Sequence, residues 1–289
     1  MDVPTMNTQQ DLGEAIEDVS ADTRAYIWKN HRGLFVTATI VSIVASVALT
    51  VSIYLIYTND PGNFDARVIS FPIFPLLALF ALYGYYRSRV QHLFVQQMGA
   101  ALGYSYAPSD TATPMTGSFA KIGWGASMLD VLSGTYQNCP VRIYTYRYMT
   151  GGGKNTQVHY CTVFELRYGS MLPHVVMNFP LLTTPMGLEK VELEGNFGKE
   201  FSLHVEPGKQ MEIREIFQPD AMQDCIAALS SFTMEIYEDR VYLIRKGELS
   251  NKQVFLDLAA GVDRVFTDIL PGLRSVASDM PNPAPSPAA

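Results

Sequence analysis

Residues that could do chemistry are few and scattered. Gly151-Gly152-Gly153-Lys154 has the composition of a phosphate-gripping loop. Such a loop needs Gly-x4-Gly-Lys-Ser/Thr between a strand and a helix, so that backbone amides and the helix N-terminus face the phosphates. Here Tyr148 stands at the first glycine position, Asn155 replaces the Ser or Thr, and a strand pattern follows. The segment therefore reads as a hairpin turn. His159 and Cys161 lie two apart, on one face of a strand, and could form a ligand pair or a nucleophile with its base. No CxxC or HxxxH completes a tetrahedral set, and His92, His174 and His204 are isolated in sequence. No metal, no cofactor and no catalytic residue is expected. Acidic residues near 189–194 and 212–215 read as solvated faces, and no G-x-S-x-G is present.

Tyr144, Tyr146 and Tyr148 alternate along a second strand pattern and share a face. Alternate tyrosines on a sheet pack across strands beneath another layer, or form a recognition surface, since Tyr is enriched in binding patches. These three are the candidate recognition residues, with Tyr160, Phe164 and Tyr168 as their extension on the next strand.

The elements around these residues follow from composition. The chain of 289 residues is 48% hydrophobic and only 17% charged, against about 25% charged in soluble proteins. The deficit falls between Arg32 and Arg87, where Asp60, Asp65 and Arg67 are the only charged side chains. The net charge of −7 comes partly from an acidic lead segment, 1–33. Neither this segment nor the chain from Arg87 onward carries a block of Lys and Arg, which disfavours binding to nucleic acid and polybasic attachment to anionic lipid. The three cysteines, Cys139, Cys161 and Cys225, are far apart and odd in number, so free thiols in a reducing compartment are expected.

Two uncharged runs, 34–57 and 68–86, are each long enough to cross a bilayer, which takes about 20 residues. The polar, acidic 1–33 segment excludes a signal peptide, which would start close to a short basic region. Arg24, Lys29 and Arg32 precede the first run, and Arg87 and Arg89 follow the second. The 58–67 loop has only Arg67. The positive-inside rule then puts both termini in the cytoplasm and the loop outside. Tyr26, Trp28, Tyr83, Tyr85 and Tyr86 mark the inner interface, Tyr54 and Tyr57 the outer one. Ala38, Ser42 and Ser46 recur every four residues, a stripe that admits close helix packing within the hairpin or in a homo-oligomer. Neither span has an ionisable residue inside it, against an ion path or transport site in a single chain.

Beyond Arg87 the second helix continues to a stop at Gly103. Residues 107–126, rich in Ser, Thr, Pro and Gly, read as an irregular connection. Strands are expected over 141–148, 158–168 and 175–179, with a hairpin over 233–244 turning at Glu238-Asp239-Arg240. Helices are expected near 213–217, 219–229 and 251–270. The last has the stripe Val254, Leu258, Val262, Val265 and Ile269, ended by Pro271-Gly272. Residues 275–289 read as a disordered tail. Strands and helices in blocks give an α+β class with a mainly antiparallel sheet for the cytoplasmic domain, 87–274.

Within that domain, Val191-Glu-Leu-Glu194, Phe197-Gly-Lys-Glu-Phe201, Leu203 to Val205, Ile216-Phe-Gln-Pro219 and Phe232 to Ile244 stand in order behind the two apolar runs. In this the chain resembles the bacterial two-helix membrane family catalogued as domain of unknown function three-one-three-seven. The resemblance covers about Phe164 to Phe266. It implies a bacterial plasma-membrane protein and brings no catalytic residues with it. The expected function is a membrane-anchored interaction or regulatory module with a cytoplasmic protein partner. The alternatives are a tethered enzyme whose site is assembled from distant residues, and an oligomeric hairpin pore.

Overall fold

The computed structural model describes residues 9–59, 73–177, 187–192, 201–217, 223, 229–249 and 252–272. The expected 219–229 helix lies largely outside these residues. So do most of the 58–67 loop, the 275–289 tail, and parts of the Val191-Glu194 and Phe197-Phe201 segments. The chain divides into two compact units, 17–97 and the remainder, each described by itself.

The first unit is helical. Helix α1, Gln9–Asn59, is continuous through most of the acidic lead segment. Its portion Val36–Asn59 has mean hydropathy 2.3 and no part of its most apolar stretch is buried, so it is long and apolar enough to cross a membrane. Ile40, Val41, Val44, Val47 and Leu55 stand exposed on it. Helix α2, Ile73–Ala101, begins inside the second apolar run, whose residues 68–72 are not described. Among the described residues α1 is the one helix that meets the length and hydropathy of a span. Helix α2 ends as expected: Gly103 adopts φ +69°, and the Tyr104 amide reaches back to the Gly99 carbonyl at 2.7 Å.

The second unit is an antiparallel sheet with flanking helices. Its strands are β1 Ser105–Asp110, β2 Trp124–Tyr136, β3 Cys139–Thr150, β4 Gln157–Met177, β5 Glu189–Val191, β6 Leu203–Val205 and β7 Phe232–Lys246. The order is β1-β2-β3-β4-β6-β5, with β7 also on β4. Helix α3 spans Gln210–Ile216. Helix α4, Lys252–Arg264, continues through a wider π turn, Val265–Ile269.

Several expectations are corrected here. The stretch read as irregular, 107–126, is irregular between Asp110 and Trp124 apart from the turn at Phe119–Lys121, but its two ends belong to strands β1 and β2. In β2, Asp130 at φ 52° makes a bulge between Leu129 and Leu132 that erases the two-residue alternation, and Tyr106 steadies it by donating to Asp130 Oδ1 at 2.8 Å. The strands read at 158–168 and 175–179 are one strand, β4. The hairpin read at 233–244 is also one strand, β7. The two bulge together: β4 slips its register between Arg167 and Leu172, and β7 turns at Glu238, φ 57°. Helical structure is described as far as Gly272, the second residue of the Pro271-Gly272 pair expected to end it. The π turn lies just before this proline, which has no amide to give to the helix.

Each sheet face has its own cover. Leu132, Ile143, Phe164 and Leu243 form one cross-strand row. Helix α4 lies over this face with Val254, Phe255, Leu258 and Val262 buried. At Gly261 an added Cβ would meet Leu229, Phe232 and Leu243 at 3.3–3.6 Å. The opposite row, Tyr144, Val163 and Ile244, lies under the segment 111–122, hereafter the strap.

Candidate functional site

The register decides what accompanies the tyrosines. Val163, Cys161 and His159 stand opposite Tyr144, Tyr146 and Tyr148. Tyr160 and Phe164 pair with Arg147 and Ile143, so they belong to the other face. The aromatic face therefore does not extend to them. All three tyrosines are buried. Phe119 of the strap inserts between Tyr146 and Tyr148, with ring centroids 5.8 Å from each. Covered by Met115, Phe119 and Ile122, the rings are not open to a partner in this conformation and serve as cross-strand packing.

The strap has little regular structure of its own, apart from a short turn at Phe119–Lys121, so its amides and carbonyls need partners from the sheet. Three polar groups supply them. Arg142 on β3 donates from Nη1 to Asp110 Oδ2 and to the Thr113 carbonyl, each at 3.0 Å. The Tyr242 hydroxyl on β7 accepts from the Thr116 amide at 3.2 Å and lies 2.9 Å from Thr116 Oγ1. Glu235, fully buried on β7, accepts from the Ser118 amide at 2.5 Å and the Phe119 amide at 3.0 Å. Two successive amides converging on one carboxylate make an anion-holding concavity. Gly117 makes room for it: at φ +95°, an added Cβ would lie 2.8 Å from the Glu235 carboxyl. His174 Nε2 completes the contact, 3.0 Å from Glu235 Oε1 and 3.4 Å from Ser118 Oγ.

A buried ionic cluster lies next to these groups. Glu165 on β4 receives Arg142 Nη2 at 2.5 Å on one oxygen and Arg240 Nη1 at 3.1 Å on the other. The Tyr144 hydroxyl also donates to it, at 3.2 Å. Burial, then the Glu165 charge, pushes the Tyr144 phenol well above its usual range, and Tyr242 is raised by the same two causes in the same order. Both phenols stay protonated at neutral pH. Carboxylates and guanidinium groups here neutralise one another and grip the strap.

His159 and Cys161 are brought to one face but not to each other's service. His159 Nε2 lies 2.7 Å from Thr150 Oγ1, and its ring stacks on Tyr148 at 5.0 Å. Burial pushes the Cys161 thiol up to about 11, so at neutral pH it is a thiol and a poor nucleophile. Among the described residues no three His, Cys, Asp or Glu side chains could hold a metal. His204 is buried on β6, its pKa lowered by burial and then by Lys190. Gly151 to Lys154 form the β3–β4 turn, with a short helical turn at Gly153–Asn155.

The sequence reading missed Glu235 and the strap. The available signal was one acid, Glu235, flanked by Met234 and Ile236 in an apolar strand. A buried acid needs partners, yet these lie 117 and 116 residues earlier in the chain.

No family model matches the sequence, and no curated protein matches it. Among solved structures, the mycobacterial trehalose monomycolate transport factor A, TtfA, aligns at 13% identity and TM-score 0.46, over 62% of this chain and 93% of that one.

Proposed function

We propose that this chain is a bacterial plasma-membrane protein whose α+β domain serves in the cytoplasm as an interaction or regulatory module for a protein partner. In this reading 34–57 and 68–86 cross the bilayer as a hairpin, the loop 58–67 is outside, and the family resemblance noted from the sequence applies. The observation that carries the proposal is the exposed apolar helix Val36–Asn59 in the same chain as a closely packed domain. The second apolar run supports it, with Ile73, Leu77, Phe80 and Tyr83 exposed on α2. Arg89 follows at the end assigned to the inner interface, its Nε 3.1 Å from the Tyr85 hydroxyl. The strap contacts support a module rather than a catalyst, because the charged groups closest to forming a site are engaged in holding the domain shut.

The test is photo-crosslinking in intact membranes from positions spread over the domain surface. A defined set of positions yielding one cytoplasmic partner is the expected result. Labelling no stronger than that of an unrelated anchored domain would remove the module reading.

A further inference from the structure

The end of the β2–β3–β4 meander beside the β3–β4 turn carries an exposed apolar row. Trp124, Met149 and Val158 are successive neighbours across the three strands. Trp124 is 51% exposed and Val158 44%. The Trp124 indole donates to the Gly151 carbonyl at 3.1 Å, which ties the start of β2 to the β3–β4 turn. Met149 lies across Gly125, where an added Cβ would strike its terminal methyl. Arg147 Nη2 reaches the same methionine sulfur at 3.9 Å.

The formal charges within the two segments that carry this apolar row are of one sign. The two segments that build it, 111–129 and 143–164, contain Lys121, Arg147 and Lys154 and not one Asp or Glu, in a chain of net charge −7. Lys121 and Lys154 are exposed. No run of basic residues marks the place in sequence, because separate segments contribute the charges and the strand register brings them together. An exposed indole in a row with Met149 and Val158, on segments whose formal charges are Lys121, Arg147 and Lys154, suits a bilayer surface. Amphipathic rings prefer the headgroup boundary, and Lys and Arg there meet anionic phosphates.

We propose that this tip is a docking site for anionic phospholipid, with Trp124 seated at headgroup depth and Lys121, Arg147 and Lys154 facing the phosphates. The complementarity of charge selects lipid over an apolar protein groove, which would leave the cations unmatched. The proposal rests on the reading that the chain is anchored in a bilayer, and the two can fail separately.

The test uses the full chain with Trp28→Phe, which leaves Trp124 as the sole tryptophan of the two in the sequence. The protein is reconstituted into nanodiscs of phosphatidylcholine alone or mixed with phosphatidylglycerol, with lipids brominated near the headgroup as quenchers. In the anionic discs at low salt, Trp124 emission is expected to shift to the blue and to be at least halved by the bromines. High salt should reverse this, as should Lys121→Glu with Lys154→Glu in a variant that still unfolds cooperatively. Emission equal to that in detergent, or quenching indifferent to lipid charge and to the charge reversal, overturns the proposal. Crosslinking of Trp124 to a protein in place of lipid also overturns it. Protein that does not enter the discs defeats the anchored reading alone. Mixed with brominated anionic liposomes, the same protein still shows Trp124 quenching, or its absence, and so decides the docking.

Discussion

The two faces of the sheet are closed by different physics. On the α4 face a regular helix satisfies its own backbone, so Val254, Phe255, Leu258 and Val262 pack on Leu243 and its row without having to meet orphaned backbone groups, and the Asp257–Arg245 ion pair at 2.8 Å stands where both side chains are partly exposed. On the other face an irregular segment supplies the cover, and its amides and carbonyls must be met by side chains rising from the sheet. Arg142, Tyr242 and Glu235 meet them. The helical cover tolerates any apolar side chain of the right volume. The strap tolerates only groups that reproduce a donor or acceptor at a fixed point.

That contrast can be broken most forcefully at Glu235. Glu235→Ala leaves the Ser118 and Phe119 amides without their acceptor in a buried site. At roughly 1–3 kcal/mol for each orphaned group, a loss of about 3–5 kcal/mol is expected in denaturant unfolding. Glu235→Gln, which keeps one acceptor oxygen, should recover part of it. Leu258→Ala makes the matching cut on the helical face and should cost about 2–4 kcal/mol through lost burial and the cavity left behind. The two variants differ in kind as well as size. Hydrogen exchange in Glu235→Ala should accelerate in the strap amides and spare α4, whereas Leu258→Ala should show the reverse. Uniform acceleration in both would mean the covers are not separable.

Gly117→Ala sharpens the same point with one methyl group. Its positive φ and the nearby Glu235 carboxyl both oppose a Cβ, and a loss of about 1–3 kcal/mol is expected by thermal unfolding. Cys161, beneath the strap, gives a pH-dependent readout. Its thiol is raised from 9.0 to about 11 by burial, so its contribution to stability is fully present below pH 9 and is lost as pH rises toward 11. Subtracting the stability profile of Cys161→Ala from that of the native chain should isolate this fall. A flat difference across the interval would contradict the burial. Arg167→Ala is the smallest change, because its 3.4 Å pair with Asp239 is half exposed. It should shift stability by less than about 0.5 kcal/mol.

How much of this the sequence disclosed depends on where the determining contacts lie. The apolar stripe of α4 and the Gly103 helix stop were legible because a helix encodes its buried face and its end within a few residues. Strands β1 and β2 were not, because Pro108, Gly125 and the bulge at Asp130 break the pattern that marks a strand. Strands β4 and β7 each read as two, because Gly169 with Pro173 and Glu238-Asp239-Arg240 look like turns. Facing bulges let the ladder pass through both places, and only the pairing of the two strands shows it. The spacing of the tyrosines revealed a shared face and nothing of its cover. Their burial depends on Phe119, whose own position depends on Glu235, a contact across most of the domain.

The proposed function requires the domain to lie in the cytoplasm, and cysteine accessibility tests that most directly. With the native cysteines removed, one variant carries a single cysteine within 59–66 and another within 275–289, and intact cells are treated with a membrane-impermeant thiol reagent. Labelling of the first position and protection of the second is the predicted result. Labelling of the second would put the domain outside the cytoplasm and contradict the proposed function.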